Sequence, residues 1–112
     1  MIYGFGGAPD GCGSRAILTA GPGGVLYGTT LEGGTGSCNY NGIPGCGTVF
    51  QLTPPVAVGD AWTETIVHSF TGENGDGAIP WSAPTLASRG VLYGTTGNGG
   101  AFGFGTVFEI KP

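Results

Sequence analysis

Residues 24–30 read GVLYGTT, and residues 90–96 read GVLYGTT again, 66 positions later. An identical seven-residue stretch in a chain of 112 residues marks a tandem repeat. That limits the fold to architectures in which one unit packs against a copy of itself. GTVF recurs too, at 47–50 and 105–108, but 58 positions apart. The eight-residue difference falls between the two motifs, where the first copy carries LEGGTGSCNYNGIPGC and the second only GNGGAFGF. The longer stretch is an insertion in a strand connection, a place that tolerates extra residues. Upstream, Asp10-Gly11 stands 15 residues before Val25, and Asp76-Gly77 stands 15 before Val91. IYGF (2–5) faces VHSF (67–70) once a single gap is allowed. Two repeats, 1–55 and 56–112, therefore fill the chain.

Each repeat holds four short apolar runs bounded by Gly, Pro, Asn or Asp. They are IYGF, AILTA, VLYGTT and GTVFQL in the first, and TETIVHSF, PTLAS, VLYGTT and GTVFEI in the second. The runs are rich in β-branched and aromatic residues and alternate with period two, which predicts strands. No segment has the periodicity of an amphipathic helix. Glycine, 26 of 112 residues, has no period of three, so it serves tight turns rather than a collagen helix. The predicted fold class is all-β: two four-stranded antiparallel β-propeller blades. Within each blade AILTA or PTLAS is expected innermost, followed outward by VLYGTT, GTVF and TETIVHSF. Gly24 and Gly90 would serve the turn into the second strand. Leu26 and Leu92 would face one blade-to-blade layer, and Val25, Tyr27, Val91 and Tyr93 the other. Gly28 and Gly94 would admit a neighbouring backbone.

Charge excludes several function classes. Seven carboxylates (Asp10, Glu32, Asp60, Glu64, Glu73, Asp76, Glu109) stand against Arg15, Arg89 and Lys111, for a net charge of −4. Without clustered cations, nucleic acid is not an expected partner. No apolar run approaches a membrane span. The opening MIYGFGGAPD has neither a charged n-region nor a long apolar core, so it is not expected to be a signal peptide. Cys38 and Cys46 flank the inserted loop and are expected to form a disulfide that stabilises by roughly 2–3 kcal/mol; two free thiols are the alternative. Cys12 is left over.

Few residues suggest chemistry. In GENGDGAIP, Asn74, Asp76 and Gly77 fit three positions of a calcium loop. Gly72 occupies its first position and no Glu its twelfth, so an Asx or type I′ turn at a strand connection is expected instead. His68, the sole histidine, would need an oriented carboxylate to act as a base or ligand. Glu64 is four residues away on the same predicted strand face, too far for contact, which leaves a backbone partner. Trp81, Trp62 and Tyr40 are the candidate ligand-binding residues, since exposed aromatics stack on sugar rings; packing in the core or at an interface is the more ordinary role for the tryptophans. The recurring Thr29, Thr30, Thr95 and Thr96 fit cross-strand hydrogen bonds. No nucleophile elbow, pair of carboxylates at a fixed spacing or phosphate loop with a following helix occurs in the sequence. No catalytic residue, cofactor or metal is therefore expected.

LYGTT, a GG-containing loop, GTVF with its following strand, HSF and DG-x-x-P together resemble the GloVer tandem repeat, over nearly the whole chain. The resemblance implies a propeller-like architecture in an exported, extracellular or cell-surface protein. Its members string many repeats together, often with a surface anchor, whereas this chain carries two repeats and no anchor after Pro112. The function implied is a non-enzymatic module for binding or scaffolding. A lectin-like carbohydrate binder is the first alternative, and an enzyme with a site at the central channel the second.

Two blades cannot close a ring, since propellers need about four to eight. The strand at 105–110 would be left as an apolar edge, which soluble proteins avoid. Ile2–Phe5 of one copy is therefore expected to pair with Thr106–Ile110 of another. Identical chains would close a cyclic ring, two copies giving four blades or three giving six, with three favoured. Flanking repeats of a longer array would supply the same pairing.

Overall fold

The computed structural model describes residues Met1–Pro112. The chain is all-β, with two short 3-10 turns and no α-helix. The first sheet contains β1 (Thr19–Ala20), β2 (Leu26–Thr30), β3 (Thr48–Thr53) and β4 (Thr63–Ser69), in that spatial order. The second contains β5 (Thr85–Leu86), β6 (Leu92–Thr96) and β7 (Thr106–Ile110). All neighbours are antiparallel. The strand order within each sheet is the expected one, and β1 and β5 lie against each other where the sheets meet. The two sheets do not close into a ring. AILTA and PTLAS form only two-residue strands, and Ile2–Phe5 is not a strand, because no third strand stands beside it.

The registers of the two repeats coincide. Leu26, Gly28 and Thr30 oppose Leu52, Phe50 and Thr48, as Leu92, Gly94 and Thr96 oppose Ile110, Phe108 and Thr106. The threonines recur for one reason. Thr30 and Thr48 hydroxyls meet at 2.7 Å while Thr30 Oγ1 donates to the Glu32 carbonyl at 2.9 Å. Thr96 and Thr106 meet at 2.7 Å while Thr96 Oγ1 donates to the Asn98 carbonyl at 2.9 Å. Each pair satisfies buried hydroxyls at the end of a strand, where the chain turns away.

Gly28 and Gly94 admit an aromatic ring, not a backbone. A Cβ at Gly28 would fall 2.9 Å from Phe50 Cε1, and one at Gly94 2.8 Å from Phe108 Cε2. In each sheet the phenylalanine folds over its cross-strand glycine. The sheets then stack. Tyr27, Val49 and Phe70, with Val25 and Val67, pack against Leu92, Phe108 and Ile110 of the second sheet to form the core. Leu26, Phe50 and Leu52 face the other way, where Phe5 covers Phe50 edge-on with ring centroids 5.0 Å apart. The predicted division of faces around Leu26 and Tyr27 is thus observed.

The inserted loop is closed by a Cys38–Cys46 disulfide, with Cα atoms 4.9 Å apart, and Cys12 is free. Asn39–Tyr40 and Ile43–Pro44 pair as a small hairpin inside it. The insertion also ties the repeats together. The Ile79 amide donates to the Cys46 carbonyl at 2.8 Å, and Ser37 Oγ donates to Glu73 Oε1 at 3.0 Å. Cys46 is fully buried at this seam.

Candidate functional site

The connections after β2 and β6 lie at the same end of the two sheets, and this end collects what differs between the repeats. The hairpin of the inserted loop presents Tyr40, whose ring meets Trp81 edge-on with centroids 6.2 Å apart. Trp81 follows Pro80, and its indole lies over Gly97, where a Cβ would come within 2.7 Å of Cδ1 and Nε1. Glycine at that position lets the ring lie flat on the second repeat's turn. Trp81 remains 48% exposed, and Tyr40 is half-buried. Beside them Ser82 Oγ and Thr95 Oγ1 are hydrogen-bonded at 3.1 Å. Two of the three aromatics singled out in the sequence therefore form one exposed pair. Trp62 does not join them; it lines a separate open cleft of about 630 Å³ with Met1, Ile2 and Val58.

His68 has a carboxylate partner, which corrects the expectation of a backbone one. Its Nε2 lies 3.1–3.2 Å from both oxygens of Asp76. A β-bulge between Val49 and Phe50 explains the difference. Glu64 pairs across from Leu52 and His68 across from Val49, so the bulge turns the two onto opposite faces. Asp76 also accepts from the Thr71 amide (2.9 Å), the Thr71 hydroxyl (3.2 Å) and the Gly77 amide (2.9 Å). Partial burial would push its carboxyl up, but these donors and His68 outweigh it and hold the carboxyl below its ordinary range. Asn74 and Asp76, the weak calcium candidate, lie in a turn closed by the Asp76 amide donating to the Glu73 carbonyl at 2.9 Å, and the Asp76 carboxylate receives N–H and O–H donors. Asn74 adopts a positive φ of 53° within that turn.

A second carboxylate cluster was not anticipated. Tyr3 donates its hydroxyl to Asp10 Oδ2 at 2.8 Å and approaches Glu64 Oε1 at 3.4 Å. Asp10 also accepts from the Gly6 and Gly11 amides at 3.0 and 2.7 Å. Burial opposes the ionised Asp10, yet these bonds win and hold its carboxyl below the ordinary range. Glu64 is pushed the other way, up to about 7, first by burial and then by the Asp10 carboxylate. Its Oε2 is buried with no partner, and no Lys or Arg forms an ion pair with either carboxylate. Tyr3 is pushed up to about 12, chiefly by its bond to Asp10. The groove these residues line, with Ser69 and Thr35, has a volume of about 430 Å³. The repeat contains the signal for this cluster: Tyr3-Asp10 occupies the place of His68-Asp76.

A raised carboxyl stabilises the fold fully below its ordinary value near 4.5, and that contribution is lost as pH rises through about 7. Conformational stability from urea denaturation should therefore fall between about pH 5 and about pH 8. Glu64→Gln, which keeps a neutral side chain that can donate to Asp10, should flatten that fall. An unchanged slope in the variant would show that Glu64 is not the titrating group.

No family model, curated protein or solved structure matches the chain.

Proposed function

We propose that the chain is a non-catalytic, extracellular repeat module of β-propeller type that scaffolds a binding surface. One observation supports this most directly. What recurs between the repeats is backbone pairing and packing, whereas what differs gathers at one end, around the disulfide loop, Tyr40 and Trp81. Loops on a rigid sheet scaffold are where binding specificity is usually built. The resemblance to GloVer repeats supports the propeller-type arrangement, and with the disulfide it supports an oxidising, extracellular setting.

A lectin-like activity is the second reading. It is favoured by the exposed Trp81 ring standing beside Tyr40 and the Ser82 and Thr95 hydroxyls. Trp81→Ala separates surface from core. A binding residue should cost less than about 1 kcal/mol of stability, whereas a loss above about 3 kcal/mol would mark a packing residue and remove the proposed surface. A glycan array should show a sugar signal that Trp81→Ala abolishes. No signal on any sugar would end the lectin reading and leave the scaffold.

A further inference from the structure

The two repeats carry the same residues at equivalent positions and bury them differently. Tyr27 is 8% exposed and Tyr93 41%; Val49 is fully buried and Val107 81% exposed. Thr29 is buried while Thr95 is exposed. Tyr27, Thr29 and Val49 are covered because they face the second sheet. The outward face of the second sheet repeats that surface with nothing upon it, except that Glu109, which accepts from the Tyr93 hydroxyl at 2.9 Å, stands in the place of Gln51. Its edge is open as well, since β7 ends the sheet where β3 is followed by β4. A long unpaired edge beside a face that exposes Tyr93 and Val107 marks an association site.

The N-terminal segment is the matching half. Tyr3 and Phe5 stand edge-on with centroids 5.3 Å apart, as His68 and Phe70 do at 4.7 Å. Phe5 packs on Phe50 at 5.0 Å, as Phe70 packs on Phe108 at 5.3 Å. Tyr3 bonds Asp10, as His68 bonds Asp76. Tyr3–Phe5 is therefore held in the arrangement of the last residues of an outer strand, without a third strand to pair with, while β7 is a third strand without an outer strand.

We propose that a second copy of this chain docks on the open face and edge of the second sheet, presenting the side of its first sheet that carries Leu26, with Phe5 packed over the buried Phe50 as Phe70 packs over Phe108. Its Tyr3 then pairs across from Val107 and its Gly4 across from Thr106, the register that His68 and Ser69 make with Val49 and Thr48. The contact is head-to-tail, so it repeats from copy to copy until a ring closes. This inference rests on the repeat-module reading and names the module's partner.

Light scattering on the purified 112-residue chain tests it. The expected mass is two or more times the 11.1 kDa of one chain. Val107→Asp should reduce it to the monomer while leaving the thermal midpoint of the isolated chain intact, because Val107 is exposed within one copy. Tyr93→Lys, on the same face and 41% exposed, should do the same. A monomer at all concentrations up to about 1 mM (the weakest association worth naming, about 4 kcal/mol) overturns the proposal, as does an oligomer that both variants leave unchanged. Trp81→Ala leaves Tyr93, Val107 and the β7 edge in place, so either reading can fail without the other.

Discussion

Phe70→Ala should cost about 3–5 kcal/mol, a large share of the total stability of so small a domain. Phe70 is 1% exposed. Its ring stands edge-on to Phe108 of the second sheet on one side and to His68 on the other, with interplanar angles of 62° and 81°. It lies where the chain passes from the first sheet to the second, and its amide donates to the Gly47 carbonyl at 3.0 Å. Removing the ring leaves a cavity that two sheets, each held by its own ladder, can close only by shifting against each other. The urea midpoint of the purified chain reads the effect. A loss below about 1 kcal/mol would mean that the sheets do not depend on this ring. Phe5→Ala should cost less, because Phe5 covers Phe50 from a segment that no strand ladder anchors.

Cys46→Ala should cost about 2–3 kcal/mol from lost loop closure alone, for a bridge spanning eight residues. The sulfur is fully buried at the seam between repeats, so the lost packing adds to that figure. Reductant should lower the stability of the wild-type chain and leave the variant unmoved. Equal responses of the two would show that the bridge contributes nothing. Cys12→Ser is the control, since Cys12 has no disulfide partner.

Much of this architecture is legible without coordinates. The 66- and 58-residue spacings locate the strands, the insertion and the disulfide, because an insertion between two paired strands has nowhere to go but out of the sheet. The strand order also follows, since each strand is short and its successor lies beside it. The Tyr40–Trp81 pair is half legible. Both residues stand out as aromatics in turn regions, but their meeting depends on how far the insertion folds back over the second repeat. The Tyr3–Asp10–Glu64 cluster escapes a linear reading because Tyr3 and Glu64 are 61 residues apart. His68 escapes it through one bulge, which turned the side chain to the face opposite Glu64.

LYGTT shows where sequence stops and tertiary structure begins. The five residues are identical in β2 and β6, and both copies form the same strand with the same register. Backbone conformation and pairing are thus set by the sequence itself, through β-branched residues, glycine turns and cross-strand partners. Burial is not. Tyr27 lies in the core and Tyr93 at the surface, though their neighbours in the chain are the same. Area removed from water depends on what stands across the face, and the second sheet stands across from one copy only.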